Sequence, residues 1–501
     1  MIAIPAKIQT FLSQLEQDGH SAYLVGGAVR DMIRSIVPKD WDIATSATPG
    51  QIKSAFKYLS DVKQIDAKFP VIIVDGVEIA TYRHDIYEDV TANMTGEVIF
   101  KRVDTIEEDL GRRDLTINAI AMDKNGIIVD PYNGRDDLDK GIIRFVGNPY
   151  KRIREDPLRI FRACRFLAAI SGVFEADSFE ALKHSVNFGY PIKVPKERIR
   201  IEILKAMRYK DARKFFVAMH TIELLQRVFP TLDACWKADH GQYHTEDIFE
   251  HMMLAGDAAW KHYRKHCLKK PLFRLVAFLH DIGKSDPNFK DGGDGAKHFY
   301  DHEFKGAEMA EAELKALKFS ISEVRYVKHQ ILVHMRGAEK MSPKSTRKCI
   351  KLFRELNVKW PEWLAIKHCD RLASVNKADK PLKIQKLAKK FMHELDDRPH
   401  KKDNRGRMPH HPKPCFEMKQ LAISGTAVQG ILGIGPSQVI GVILQYLLDR
   451  VIGDPALNTR PMLEALIVGK RDMTAINKMY PPCGADRNAI RADVDKTRSK
   501  V

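Results

Sequence analysis

Asp40 and Asp42 flank Trp41 in DWDIAT (40–45), a stretch whose alternation reads as a strand. Alternation sends both aspartates to one face and Trp41 to the other, where it can pack. Two carboxylates on one face repel unless a cation stands between them. Mg²⁺ is commonly bound by one or two carboxylates together with substrate phosphates. A pair of such ions can activate an attacking hydroxyl and neutralise a leaving pyrophosphate. An exposed acidic strand has the same spelling, so the neighbouring residues must decide.

Just upstream, a short strand AYLV (22–25) runs into Gly26-Gly27 and then a helix, AVRDMIRSI (28–36), that opens with Arg30. Glycine lets backbone approach closely, and N–H groups at a helix start can receive phosphate oxygens. Arg30 adds a cation one turn in. Both features, a dozen residues apart, would face a nucleoside triphosphate.

A second set of chemistry-bearing residues lies far downstream. LFRLVAFLHDIGKSDPN (272–288) ends an apolar helix on His280-Asp281, with His251 upstream and His302 and Asp370 downstream. Imidazole and carboxylate are metal ligands, and this set can hold one or two ions. His329 or His334 could add a further ligand, and spacing does not choose between them.

The elements that must position these groups change character along the chain. Strand and helix signals mix up to about residue 146, with strands also expected at 71–74, 77–82 and around 117–123. From there apolar residues recur at helical spacing, as in LRIFRACRFLAAI (158–170) and ARKFFVAMHTIELLQRVF (212–229). The expectation is α+β: a mixed head at 1–146, a helical neck at 147–238, a histidine-rich unit at 239–400 and a helical tail at 401–501. A polar, proline-bearing linker is expected at 381–414, and a helix at 436–451 with Pro436 in its first turn.

Composition narrows the partners. Across 501 residues, 82 Lys and Arg against 65 Asp and Glu leave a formal charge of +17, which suits a polyanion. Seven cysteines without a CxxC pair argue for a reducing compartment and against a cysteine-rich zinc module. No apolar run approaches the ~20 residues of a membrane span, and no secretory signal opens the chain, so a cytoplasmic protein without membrane attachment is expected.

The helix at EDPLR carries Asp156, Arg159, Arg162 and Arg165 at intervals of three. Asp156 and Arg159 are then neighbours that can pair. Each later arginine is displaced by ~60° around the axis, so the set spirals. Cytosine and adenine each offer an amino donor beside a ring-nitrogen acceptor, whereas uracil and guanine reverse that order. A carboxylate only accepts and a guanidinium only donates, so an Asp–Arg pair suits C and A.

LVGGAVRD (24–31), KDWDIATSATP (39–49), RRDLTINAIAMD (112–123), DPYNGRDDLDKGIIR (130–144) and EDPLRIFRACRF (155–166) together resemble the ordered motifs of class II tRNA nucleotidyltransferases and bacterial poly(A) polymerases. The resemblance covers roughly 20–235 and implies a polymerase β-like head that adds CCA to tRNA from CTP and ATP with Mg²⁺. It implies Asp40 and Asp42 as metal ligands; Gly27, Arg30 and Arg113 as nucleotide contacts; and Asp156 and Arg159 as the base readers, with Arg162 and Arg165 in the same site. Asp114 resembles an essential acid of the bacterial poly(A) polymerases, while Glu78 on VEIATY competes on geometric grounds. The His251, His280-Asp281, His302, Asp370 set resembles the HD phosphohydrolase superfamily, which implies a second divalent or transition metal. Segment 422–453 is similar to the tRNA-contacting region of bacterial CCA-adding enzymes.

Four alternatives stay open at this point, a non-catalytic RNA-binding protein among them. Poly(A) addition shares the head motifs, but QIDAKFPVIIV (64–74) lacks the basic run of those polymerases. Partial CC- or A-addition is the second, against which a flexible loop at 84–97 weighs lightly. The third is a metal phosphohydrolase whose head only binds nucleotides.

Overall fold

The computed structural model describes residues 2–59, 61–64, 70–87, 98–239, 245–287, 299–337, 341–374, 384–395 and 414–468. By packing, the chain forms two compact units. The first takes Met1–Leu332 with Cys369–Asp379, and the second takes Val333–His368 with Lys380–Val501.

The head starts with α1 (Ala6–Gln17), β1 (Ala22–Val25), α2 (Gly27–Ile33), β2 (Asp42–Thr45) and α3 (Pro49–Ala55). Then follow β3 (Val62–Gln64), β4 (Val71–Val74), β5 (Val77–Thr81), β6 (Arg83–Tyr87), β7 (Val98–Arg102) and α4 (Ile106–Gly111). β8 (Ala121–Met122), β9 (Ile128–Val129), α5 (Gly134–Lys140) and β10 (Ile142–Ile143) complete it. Seven strands form one mixed sheet in the order β3-β4-β5-β2-β1-β8-β9. β2 runs antiparallel to β1 and parallel to β5.

The two faces of this sheet have different employment. Leu24, Ile43, Ile72 and Ile79 are fully buried with Phe11, Leu12 and Leu15 of α1 and Ile52 and Phe56 at α3, and Trp41 packs against that core. On the other face Val25, Ala44 and Tyr82 pack with Ile106 and Leu110 of α4. This is the period-two alternation of a sheet covered on both sides. The Asp42 and Glu78 side chains belong to the second face.

The helical remainder of the first unit begins with α6 (Pro149–Glu155), α7 (Leu158–Ile170), the short β11 (Val173–Phe174), α8 (Ala176–Asn187) and α9 (Lys196–Ala206). The apolar run at 212–229 breaks into α10 (Arg213–Thr221) and α11 (Leu225–Val228), because Glu223 adopts a left-handed φ of 62°. After α12 (Pro230–Asp233) come α13 (Ile248–Lys269), α14 (Pro271–Leu279), α15 (His302–Ala316) and α16 (Ile321–Val333). Arg274 of α14 is fully buried and donates to the carbonyls of Gly256, Met207 and Lys210 at 2.9, 3.3 and 2.8 Å, which locks α14 onto α13 and the end of α9.

The second unit holds α17 (Pro343–Glu355), most of α18 (Trp360–Ala373), α19 (Ile384–Leu395), α20 (Gly425–Leu432), α21 (Gln438–Gly453) and α22 (Arg460–Val468). α19 lies inside the stretch expected to be a linker. Ile384, Leu387, Phe391 and Leu395 make a helical stripe amid lysines, and Leu387 and Phe391 are buried beside Trp363. The rest of that linker, 396–413, and the tail beyond 468 lie outside the described residues. α21 starts two residues after Pro436, so the proline precedes its first turn rather than occupying it. Among the described residues no helix is long and apolar enough to cross a membrane.

Candidate active site and metal centre

Val25, Asp42 and Glu78 form one rung across β1, β2 and β5. In-register partners on adjacent strands share a face, so the carboxylates of Asp42 and Glu78 are neighbours. Burial, together with the Glu78 and Asp40 charges, raises the Asp42 pKa to about 6 against the opposing pull of Arg113. Asp40 does not lie on the strand as expected. Val25↔Asp42 is the last pair before β1 turns at Gly26, so Asp40 sits in a bend that no strand pairs with among the described residues.

Gly26 is the strained position of the turn. It holds φ 67° and ψ −126°, and a Cβ there would lie 2.9 Å from Arg113 Nη1. Only glycine adopts that backbone readily. Arg113 is thereby drawn against the turn, where Asp109 accepts from its Nη2 at 3.2 Å. A Cβ on Gly27 would meet Arg30 at an ordinary 3.7 Å. Asp31 and Asn118 pin Arg30, the latter at 2.7 Å.

Asp114 is buried and held by three donors. Its Oδ1 accepts from Leu115 N at 2.8 Å and Asn118 Nδ2 at 3.0 Å, and its Oδ2 accepts from Arg162 Nε at 2.7 Å. Burial alone would raise its pKa, but Arg162 and Asn118 outweigh burial and hold it well below the usual carboxylate range. Glu78, in register with Asp42 on the neighbouring strand, is an acid the structure sets beside it.

The arginines of α7 separate as their 60° stagger implies. Arg162 reaches Asp114, and Arg165 turns inward to a buried ion pair with Glu202 and donates to the Tyr209 hydroxyl at 3.1 Å. Phe166 lies under the guanidiniums of Arg30, Arg162 and Arg165, 5.0, 5.6 and 4.0 Å from its ring centre. Arg159 donates to Glu155 at 2.7 Å and to the carbonyls of Arg152 and Arg112 at 2.8 and 3.0 Å. The expected side-chain pair between Asp156 and Arg159 is absent among these contacts. Asp156 precedes Pro157, which disfavours helical backbone; it adopts φ −143° and ψ 100° between α6 and α7, off the helix surface that Arg159 occupies. Its partner is Arg198 of α9, at 2.8 Å.

The second centre is compact. Asp370 Oδ1 lies 3.2 Å from His251 Nε2 and 3.8 Å from His280 Nε2. Asp281 lies 3.6, 3.4 and 3.2 Å from the Nε2 atoms of His251, His280 and His302. Each imidazole turns its Nδ1 outward, to Glu246 at 3.2 Å, to the Ala277 carbonyl at 3.0 Å and to the Phe299 carbonyl at 2.7 Å. Such outer contacts fix a tautomer and aim Nε2 at a metal. Gly283 makes the assembly possible, since a Cβ there would stand 2.0 Å from the His302 carbonyl oxygen. Burial opposes the His280 proton, but Asp281 and Asp370 outweigh it and raise the pKa to about 10. Ligand atoms of His251, His280 and Asp281 lie within 4.8 Å of one another, which fits a divalent cation. Asp40, Asp42 and Glu78 do not close to that distance as a trio.

Comparison with known proteins agrees in three separate regions. The Poly A polymerase head domain family matches residues 22–144, the family described as a probable RNA and SrmB-binding site of polymerase A matches 175–235, and the HD domain family matches 248–379. In these regions the chain is similar to poly(A) polymerases and to CCA-adding enzymes. The CCA-adding enzyme of Ligilactobacillus salivarius is 40% identical over 212 residues, 42% of this chain and 50% of that protein. The chain thus spans about half the length of that relative. The A-adding tRNA nucleotidyltransferase of Deinococcus radiodurans is 26% identical over 444 residues, 86% of this chain and 92% of that one. The fold matches the Bacillus stearothermophilus CCA-adding enzyme in complex with CTP, with TM-score 0.60, 21% identity, and coverage of 94% and 98%.

Within this fold, motif reading missed four residues. Arg198 and Asp109 are partners of motif residues and carry no signal of their own in one sequence, and Asn118 lies inside RRDLTINAIAMD (112–123) without standing out there. Glu246, five positions before His251, had the nearest thing to one: an acid just ahead of the helix that carries a candidate ligand. His334, left open as a ligand, falls in the second unit.

Proposed function

We propose that this chain builds CCA on the 3′ end of tRNA from CTP and ATP, without a nucleic-acid template, in a cytoplasm. The observation that carries this reading is the Asp42–Glu78 rung with Arg113 drawn onto it beside the Gly26 turn. Asp40, Asp42 and Glu78 would hold Mg²⁺, which when bound stabilises the charge on attacking and leaving oxygens. Gly27, Arg30 and Arg113 line the triphosphate. Asp156 accepts from the amino group shared by cytosine and adenine, and Arg159 supplies the donating half. Asp114 holds Arg162 in the nucleotide site rather than a metal, and Arg165 braces α7 from behind.

The His251, His280, Asp281, His302 and Asp370 cluster would bind a divalent or transition metal, and phosphoester hydrolysis is the reaction its chemistry suits. Comparing the metal content of His280→Ala/Asp281→Ala with wild type tests this, and equal content would end it.

One observation favours a second reading of the head. The Deinococcus relative that aligns over 86% of the chain is A-adding. tRNA ending at the discriminator base, and tRNA ending in CC, given CTP, ATP or both with Mg²⁺, separates the cases. Two C followed by one A supports CCA addition. Addition of A only to the CC end supports A-addition, and long A tracts support poly(A) synthesis. No incorporation by folded protein sinks the transferase reading.

A further inference from the structure

The carboxylate assigned to base reading is not held by its neighbours in sequence. Arg198 Nη1 donates to Asp156 Oδ1 at 3.2 Å and Nη2 to Oδ2 at 2.8 Å, a two-pronged contact from a helix 42 positions away. Leu158 N donates to Oδ1 as well, at 3.1 Å. A carboxylate offers about four acceptor positions, and the protein fills three of them. What is left accepts one further donor, in a direction set by the guanidinium fork.

The helix that carries Arg198 is itself clamped. Two residues on, Arg200 makes a double contact with Glu323 of α16, at 2.6 and 2.9 Å. Glu202 forms the buried pair with Arg165 of α7. Along one face of its first turns α9 is thus tied to the Asp156 junction, and along the others to α16 and α7. The extended backbone at Asp156, imposed by Pro157, would otherwise leave that side chain free to swing.

We propose that Arg198 is a positioning residue for nucleotide choice. It presents a single oriented acceptor of Asp156 to the incoming base, so that one exocyclic amino group fits and a carbonyl edge does not. The proposal rests on the reading that Asp156 meets the base.

The test uses the full chain with tRNA ending at the discriminator base and at CC. kcat and KM are measured for CTP, ATP, UTP and GTP, with a thermal unfolding curve for each variant. Arg198→Met should raise KM for CTP and ATP roughly tenfold with kcat nearly unchanged, and cut CTP-over-UTP and ATP-over-GTP selectivity roughly tenfold, the scale of one charge-assisted contact. Arg198→Lys, a charge without a fork, should recover part of the KM but less of the selectivity. Unchanged selectivity in Arg198→Met while Asp156→Asn loses it overturns the proposal and leaves the base-reading assignment standing. Unchanged selectivity in both overturns the assignment as well. A uniform drop in kcat for all four nucleotides marks Arg198 as merely structural and also overturns it. Should Arg198→Met unfold, Arg198→Lys decides by the same selectivity criterion.

Discussion

Asp42 and Glu78 stand opposite each other on parallel strands, and the protein holds them together against their own repulsion. The cost is visible in Asp42, whose pKa is raised to about 6 by burial and by Glu78. A carboxyl raised in the folded state binds its proton more tightly there than in the unfolded chain. Its contribution favours folding below about pH 4 and is lost as pH rises through about 6. Glu78→Gln should therefore stabilise the metal-free protein more at pH 7 than at pH 5. The same variant should lose nucleotide addition by roughly 10²-fold, the scale of one lost electrostatic contact at a reacting centre. Melting temperatures with a chelator at the two pH values, beside incorporation rates with Mg²⁺, check both halves. Equal activity of Glu78→Gln and wild type would remove Glu78 from the site.

Gly26 predicts a contrast between adjacent glycines. Gly26→Ala meets both a left-handed φ and Arg113 Nη1 at 2.9 Å. It should cost about 1–3 kcal/mol in denaturant unfolding and raise KM for both nucleotides by displacing Arg113. At Gly27 the added methyl has ordinary room, so Gly27→Ala should stay within about 1 kcal/mol of wild type. Equal effects at the two positions would contradict the turn geometry.

The head was legible because its chemistry is local: strand, turn and acidic pair sit within about one supersecondary unit, and period two sorts their faces. What the sequence could not convey was pairing across the fold. Nothing near Asp156 names Arg198, and an i, i+3 argument pointed to Arg159. Pro157 was the available warning, since it takes Asp156 off the helix. Asp114 is a similar case, its partner Arg162 standing 48 residues away. α19 was hidden by its lysines, although its apolar spacing is helical.

Arg165 gives a test of the division between reading and bracing arginines. Its ion pair with Glu202 is almost wholly buried. Removing one partner of such a pair typically costs about 3–5 kcal/mol, because the other charge is left without compensation. Arg165→Met should show that loss in denaturant unfolding, and Arg165→Met/Glu202→Leu should recover much of it. Nucleotide selectivity should be unchanged in the folded double variant. A change in the ratio of CTP to UTP use there would return Arg165 to the nucleotide site.

Glu246 should set the metal affinity of the second centre without touching the metal. It accepts from His251 Nδ1 at 3.2 Å, so that the proton rests on that nitrogen and Nε2 faces Asp281 and Asp370. An outer carboxylate of this kind is worth about 10–100-fold in metal affinity. Glu246→Ala should weaken binding by that range in equilibrium dialysis with Mn²⁺ or Zn²⁺. Glu246→Gln keeps an accepting oxygen but loses the charge, and should fall between wild type and alanine. Nucleotide addition by the head gives the internal control, since neither substitution alters Asp42, Glu78 or Asp156. If both variants bind metal as wild type does, His251 is oriented by the packing of α13 alone.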